Sequence, residues 1–192
     1  MTALYARVRD LAEHDPAAAH AMWRADRDSL FAAHIDSPLP REQRRRCPGL
    51  RYAPYDDALR FEVDVDSGAP PERLEVPTAT DGIVPLERIG RVELPRLGSL
   101  DVWWIAVYGG GVFVPMRDAS AGRTTYGGGR YVIDTVKGAD LGGEGGRLVI
   151  DLNFAYNPSC AYDPGWTCPL APPGNVLGTE VNAGELAPPT DS

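Results

Sequence analysis

Two arginines and two carboxylates at 117–134 are the residues whose types and spacing best suit chemistry: Arg117, Asp118, Arg130 and Asp134, with Tyr131 among them. They fall at the ends of neighbouring expected strands and enclose a stretch rich in glycine and small hydroxyl residues: Ser120, Gly122, Thr124, Thr125 and Gly127 to Gly129. Convergent guanidinium groups hold carboxylates or phosphates through paired N–H bonds. Glycines let backbone N–H groups approach an anion closely, and the phenols of Tyr126 and Tyr131 can donate to it. Asp118, Asp134 and Tyr131 are candidate catalytic groups, although a carboxylate beside an arginine is held acidic and makes a weaker base. The competing reading is structural: Arg117–Asp118 or Arg130–Asp134 pairs that brace two loops.

A second set is Asp151, Asn153, Tyr156, Asn157 and Tyr162. Asp151 and Asn153, two apart on an expected strand, share a face, and Leu148, Ile150 and Leu152 share the other. Asn153 and Tyr156 would complete a pocket with Arg117, Tyr126 and Arg130 if their strand paired beside 130–136. Alternatively, Asn153 and Asn157 brace the proline-rich tail through side-chain to backbone bonds. Cys160 is a candidate nucleophile, but the usual base is absent nearby, because His14, His20 and His34 all lie in the N-terminal segment. Cys160 and Cys168, eight apart, do not match a zinc spacing. A disulfide is disfavoured in a reducing compartment, and buried small apolar thiols are the plain alternative. There is no G-x-S-x-G, no H-E-x-x-H, no dinucleotide fingerprint and no lysine-bearing phosphate loop, so neither a cofactor nor a metal is expected.

The elements that must position these groups can be read from punctuation and period. Asp15 and Pro16 open a helix expected to run to about Ala33, with Met22, Trp23, Leu30 and Phe31 as its apolar stripe and Arg24, Arg27 and Asp28 to the sides. Pro38 and Pro40 stop it. A shorter helix, about Ala3 to Ala12, precedes it, and helix is expected to be confined to 1–36. From Leu59 the period changes to two: Leu59, Phe61, Val63 and Val65 alternate with charged residues. Further strands are expected at 73–76, 91–94, 99–108 (central, apolar on both faces), 112–114, 130–136 and 147–154. The run Arg44 to Arg46 reads as a solvated turn. Residues 157–192 are too rich in proline for a regular strand and must wrap the surface. The expected fold is α+β and mostly β: N-terminal helices packed on an antiparallel sheet at 59–154, curled into a barrel or sandwich, with a C-terminal wrap, all in one domain over 1–192.

Bulk properties narrow the partners. The 192 residues carry a net charge of −8, without the basic footprint of a nucleic-acid binder or a reason to bind an anionic membrane. No apolar run is long enough for a signal peptide or a span, and the expected location is the cytoplasm. Self-association into a homo-oligomer stays open.

Several motifs together resemble a known family. They are Asp151-x-Asn153-x-Ala155-Tyr156-Asn157-Pro158-x-Cys160-Ala161-Tyr162, Cys168-Pro169, Ala183-Gly184-Glu185, Phe113-Val114-Pro115-x-Arg117-Asp118 and Thr125 to Tyr131. The pattern continues upstream at Trp23-Arg24-x-x-Arg27-Asp28-x-x-Phe31 and Gly49-Leu50-x-Tyr52-x-Pro54. The chain is similar in order, over nearly its whole length, to the family catalogued as domain of unknown function 1684. It departs at Met116 and Gly174, where that family carries Phe and Glu. The resemblance implies one domain and no particular activity. The expectation is a small-molecule enzyme of hydrolase, lyase or isomerase type, with a pocket for a small anionic ligand in a barrel-like core. The alternative is a non-catalytic ligand-binding or structural module.

Overall fold

The computed structural model describes residues 2–78, 82–106 and 109–189. Helices α1 (Thr2–Ala12) and α2 (Pro16–Ala33) lead into a short α3 (Arg41–Arg44). Asp15 caps α2 as its type requires, accepting the Ala18 N–H at 2.9 Å. The expected boundaries of α2 hold; α3 extends helix beyond residue 36. Arg27 is not lateral. It lies one turn from both Trp23 and Phe31 and is buried with them, because α2 packs its whole 23–27–31 face inward. Trp23 donates its indole N–H to the Tyr5 hydroxyl at 3.0 Å, joining the two long helices.

Five antiparallel strands form the main sheet: β2 (Arg73–Thr78), β3 (Gly82–Leu94), β4 (Gly98–Ile105), β5 (Gly111–Met116) and β6 (Arg130–Asp134), in that order across it. β4 is central, as its two-sided apolar pattern demands; residues 107 and 108 of the expected strand lie outside the described residues. A bulge at Ile89 breaks the β3–β4 register. β1 (Arg60–Asp64) and β7 (Arg147–Asp151) make a separate antiparallel pair. The expected strand at 147–154 therefore ends early, turning into a tight 3-10 turn at Leu152–Phe154, and its partner is β1 rather than β6. Tyr156, beyond that turn, bridges β6 at Tyr131, and Asp66, beyond β1, bridges β3 at Arg91.

Alternation along the strands divides the core in two. Leu100, Val102, Val114, Met116 and Val132 pack with Phe61, Val63, Ile150 and Leu152 of the β1–β7 pair. Trp103, Ile105, Phe113 and Tyr131 belong to the other cluster, with Leu4, Val8 and Trp23 of the helices. Both spaces are closed by apolar side chains, each fully buried one contributing roughly 1.5–3 kcal/mol. The tail forms no regular strand among the described residues and is held by side chains instead. Asn175 accepts the Trp103 indole N–H at 2.8 Å and donates to the carbonyls of Asp101 and Pro115, both at 2.8 Å. Asp101 fills the space beside it: a Cβ at Gly174 would stand 1.9 Å from its carboxylate, so a side chain at 174 would have to displace Asp101.

Candidate functional site

Arg130 leaves β6 into the core, where it is 1% exposed. Its guanidinium pairs with Asp118 at 3.2 Å and donates to the carbonyls of Val181, Ala183 and Glu185. Asp118 in turn accepts the backbone N–H of Ser120 (3.1 Å) and of Val181 (2.8 Å) and the Thr125 hydroxyl (3.2 Å). Burial alone would raise the Asp118 carboxyl. The bonds from Ser120 and Val181 and the Arg130 charge outweigh it and hold Asp118 below its ordinary value. Every strong bond of this pair goes to the chain itself, tying 181–185 to the sheet.

Arg117 and Asn153 face other partners. Arg117 is exposed and donates to the Gly127 carbonyl at 3.0 Å. Asn153 accepts the Asp56 N–H at 2.9 Å and donates to the Asp56 carbonyl (2.9 Å) and the Asp151 carboxylate (2.8 Å), pinning the segment before β1. The strand pairing that would have brought Asn153 beside Arg130 does not form, so Arg117, Arg130 and Asn153 each engage a different neighbourhood. Asp134 pairs with Lys137 at 3.0 Å, not with Arg130, and accepts the Tyr156 hydroxyl at 3.2 Å.

A second buried ion pair was not anticipated: Arg27 to Glu185 at 2.7 Å, with Glu185 also accepting the Asn157 N–H at 3.0 Å. Burial pushes the Glu185 carboxyl up against the pull of Arg27. The signal was available, since an arginine spaced four from Trp23 and four from Phe31 stands on the apolar stripe. Gly184, next to it, has φ +73°, and a Cβ there would come within 2.6 Å of the Ala155 carbonyl oxygen. Gly184→Ala should therefore cost about 2 kcal/mol from backbone strain and steric displacement, read as a lower midpoint in urea unfolding.

The thiols form a third group. The Tyr126 hydroxyl lies 3.6 Å from the Cys160 sulfur and 3.4 Å from its carbonyl oxygen. Burial, aided by Cys160, pushes Tyr126 up to about 12. Tyr131 donates to the Pro169 carbonyl at 2.7 Å, fixing the chain just after Cys168. Of the sequence candidates, Tyr126 thus sits beside Cys160 and Tyr131 holds the residue that follows Cys168, with Lys137 above the Tyr131 ring at 5.3 Å.

A groove of about 560 Å³ opens elsewhere, between the α3 region and the tail. Leu39, Leu50, Leu186 and Tyr162 form apolar walls, and Arg46 and Arg51 stand on its rim. Both arginines are exposed. Their neighbour Arg44 is not a solvated bystander: its guanidinium donates to the carbonyls of His34, Ile35, Ser37 and Leu39 and knits the turn between α2 and α3. Among the described residues, no group of three or more His, Cys, Asp or Glu side chains is placed to hold a metal ion, and no helix is long and apolar enough to cross a membrane.

An antiparallel sheet with helices on one side, tied by buried arginine–carboxylate pairs to an irregular tail, defines an α+β protein class. Residues 45–186 match the model of a family described as a protein of unknown function, DUF1684, and the chain belongs to that family. The matched span begins after α1 and α2 and includes most of the groove, all of the thiol cluster and both carboxylates of the buried pairs. The chain is also similar to an uncharacterized protein of Haloarcula marismortui solved in solution by NMR. The two are 35% identical over 85% of this chain and 89% of that one, with a TM-score of 0.60. No curated protein matches.

Proposed function

We propose that this protein binds a small molecule combining an anionic group with an apolar body, in the groove between the α3 region and the tail, as a non-catalytic binding module. The observation that carries this reading is the pair Arg46 and Arg51 at the mouth of a 560 Å³ groove with apolar walls, in a chain of net charge −8. The volume is that of small-molecule sites, which combine apolar walls with a few orienting polar groups. Two guanidinium groups can each give a carboxylate or phosphate paired N–H bonds. Glu42, the acidic residue among the groove's lining side chains, is exposed to solvent, whereas a general acid or base works best in a site that excludes water. Phenyl phosphate is the test ligand. Arg46→Met and Arg51→Met should each weaken its binding by about tenfold or more, the worth of one charge-assisted bond, while the melting temperature of the free protein stays put. Saturable binding that neither substitution changes, by calorimetric titration, would remove the groove from the reading.

The sheet pairing supports a barrel-like body behind the groove. Starting from β3, hydrogen-bonded neighbours run through β4, β5 and β6 to Tyr156; the chain leads from there through the 3-10 turn to β7, which pairs with β1, and Asp66 beyond β1 bridges β3 at Arg91. We read this circuit as one curled wall whose interior is filled by side chains, which leaves binding to its outer surface. Three free thiols are consistent with a cytoplasmic setting.

A further inference from the structure

The motif Asn157-Pro158-x-Cys160-Ala161-Tyr162 ends on the wall of the groove. A 3-10 turn at Ser159–Ala161 reverses the chain, and the Tyr162 N–H closes it onto the Ser159 carbonyl at 3.0 Å. Tyr162 thereby returns to the Asn157 side chain, five residues earlier, and its ring stands edge-on to Phe31 of α2 at 4.8 Å. Asn157 is 3% exposed, and its amide nitrogen donates to the Leu186 carbonyl at 2.8 Å and to the Tyr162 hydroxyl oxygen at 3.3 Å. A backbone carbonyl only accepts, so the nitrogen of the amide, not its oxygen, faces this way. The Tyr162 oxygen therefore receives a hydrogen from Asn157, and the phenol's own hydrogen is left to be given elsewhere. Among the described residues nothing accepts it. Asn157 holds the oxygen from the buried side, while Tyr162 itself is partly exposed and lines the groove.

We propose that Tyr162 is the specificity-determining donor of the groove, and that the ligand is a small acid whose apolar body carries an accepting oxygen, as a ketone does. The assignment rests on the groove being the binding site. Tyr162 then adds a requirement that the arginines do not impose. Arg46 and Arg51 select for negative charge at the mouth, whereas the hydroxyl selects for an acceptor within the body.

The bonds that orient the hydroxyl also fix its place relative to the rim. Leu186 donates its N–H to the Arg51 carbonyl at 2.8 Å, and its own carbonyl takes the Asn157 amide. Arg51 and the Tyr162 hydroxyl are thus tied through one wall residue. Asn157 is held in turn, its backbone N–H donating to Glu185, which pairs with Arg27. The donor is set before any ligand arrives, so little ordering is needed on binding. A body without an acceptor would cover the phenolic hydrogen and leave it unpaired, which costs affinity, while a body with one restores the bond. A mostly apolar site discriminates in this way, through a few polar groups of fixed direction.

The test compares two sets of phenyl phosphates by calorimetric titration of the full chain. One set carries an acetyl group at the 2-, 3- or 4-position. The other carries isopropenyl there, which has nearly the same shape and no accepting oxygen. For at least one position the acetyl compound should bind the parent protein about three- to tenfold more tightly than its isopropenyl twin, the worth of one neutral hydrogen bond. Tyr162→Phe keeps the ring on Phe31 and removes only the hydroxyl, and it should abolish that preference. Arg46→Met and Arg51→Met should weaken both twins and keep the preference. Should Tyr162→Phe fail to fold, the parent protein decides alone: no preference for acetyl at any position overturns the inference. A preference that survives Tyr162→Phe also overturns it, as does a loss that falls equally on both twins, which would assign the hydroxyl to the phosphate. In those results binding still depends on the two arginines, and the groove stands. If none of the compounds binds, or if binding ignores both arginine substitutions, the groove reading fails and this inference falls with it.

Discussion

Arg130→Met is expected to lower the stability of the protein by about 3–5 kcal/mol, the cost of leaving a buried partner charge unpaired. For a domain of this size that is a fall of about 10 °C in melting temperature. Three consequences add up at this position. Asp118 keeps its donors from Ser120, Thr125 and Val181 but loses the guanidinium at 3.2 Å. The carbonyls of Val181, Ala183 and Glu185 lose their shared donor. The segment they belong to also carries Glu185, which holds Arg27 of α2, so loosening it reaches the helices. The pairing argument has its own control. Arg130→Met combined with Asp118→Asn removes the orphaned charge and should recover part of the loss, giving a coupling well outside the additivity expected of independent sites. Thermal or urea unfolding of the two singles and the double measures it. If Arg130→Met instead melted with the parent protein while phenyl phosphate binding collapsed, the brace would be refuted and a ligand role for Arg130 restored.

The sequence was most legible where a local rule decides the outcome. Asp15 and Pro16 open α2 because a cap and a proline at N1 satisfy the backbone whatever packs around them, and the alternation from Leu59 to Val65 marks β1 because one face must leave water. β3 was harder to read: only 91–94 was expected, since Pro85, Gly90 and the charged pair Glu87 and Arg88 interrupt the alternation over 82–90, and cross-strand pairing to β2 and β4 carries the strand through them. The candidate sites depended on pairing at long range, which period and punctuation do not encode. β7 chose β1, and that single choice sent Asn153 to Asp56 instead of Arg130. The groove is assembled from 39–51 and 161–189, two irregular stretches with no shared pattern. The eight-residue spacing of Cys160 and Cys168 was visible, whereas the 3-10 turn at Ser159–Ala161 that sets Cys160 beside the Tyr126 hydroxyl was not, because it depends on a contact across 34 residues of chain.

Stability should also fall between pH 6.5 and about pH 4, and His20 should be the main cause. Its imidazole, 2% exposed, is stacked on Trp23 at 5.6 Å and set edge-on to Phe154 at 5.2 Å. Burial first, then the nearby Arg24 charge, lowers it from 6.5 to about 4, against a raising bond with the Asn153 backbone. Between those two values the unfolded chain binds a proton that the folded chain refuses. The stability His20 contributes is thus complete above pH 6.5 and lost as acid carries the folded imidazole through pH 4. The amount is on the order of 2–3 kcal/mol. His20→Phe keeps the ring contacts and removes the proton, losing the bond with the Asn153 backbone but nothing at Nε2, which has no hydrogen-bond partner. Glu185, raised by burial, slopes the opposite way where its folded and unfolded forms differ in charge, and Asp118, held low, acts only in stronger acid. Both are common to the two proteins and cancel in their difference. Urea midpoints taken from pH 7 down to pH 4 should therefore show the variant within about 1 kcal/mol of the parent at pH 7 and more stable than it near pH 4. Parallel curves for the two proteins across that range would mean that His20 gains its proton inside the folded core at no cost.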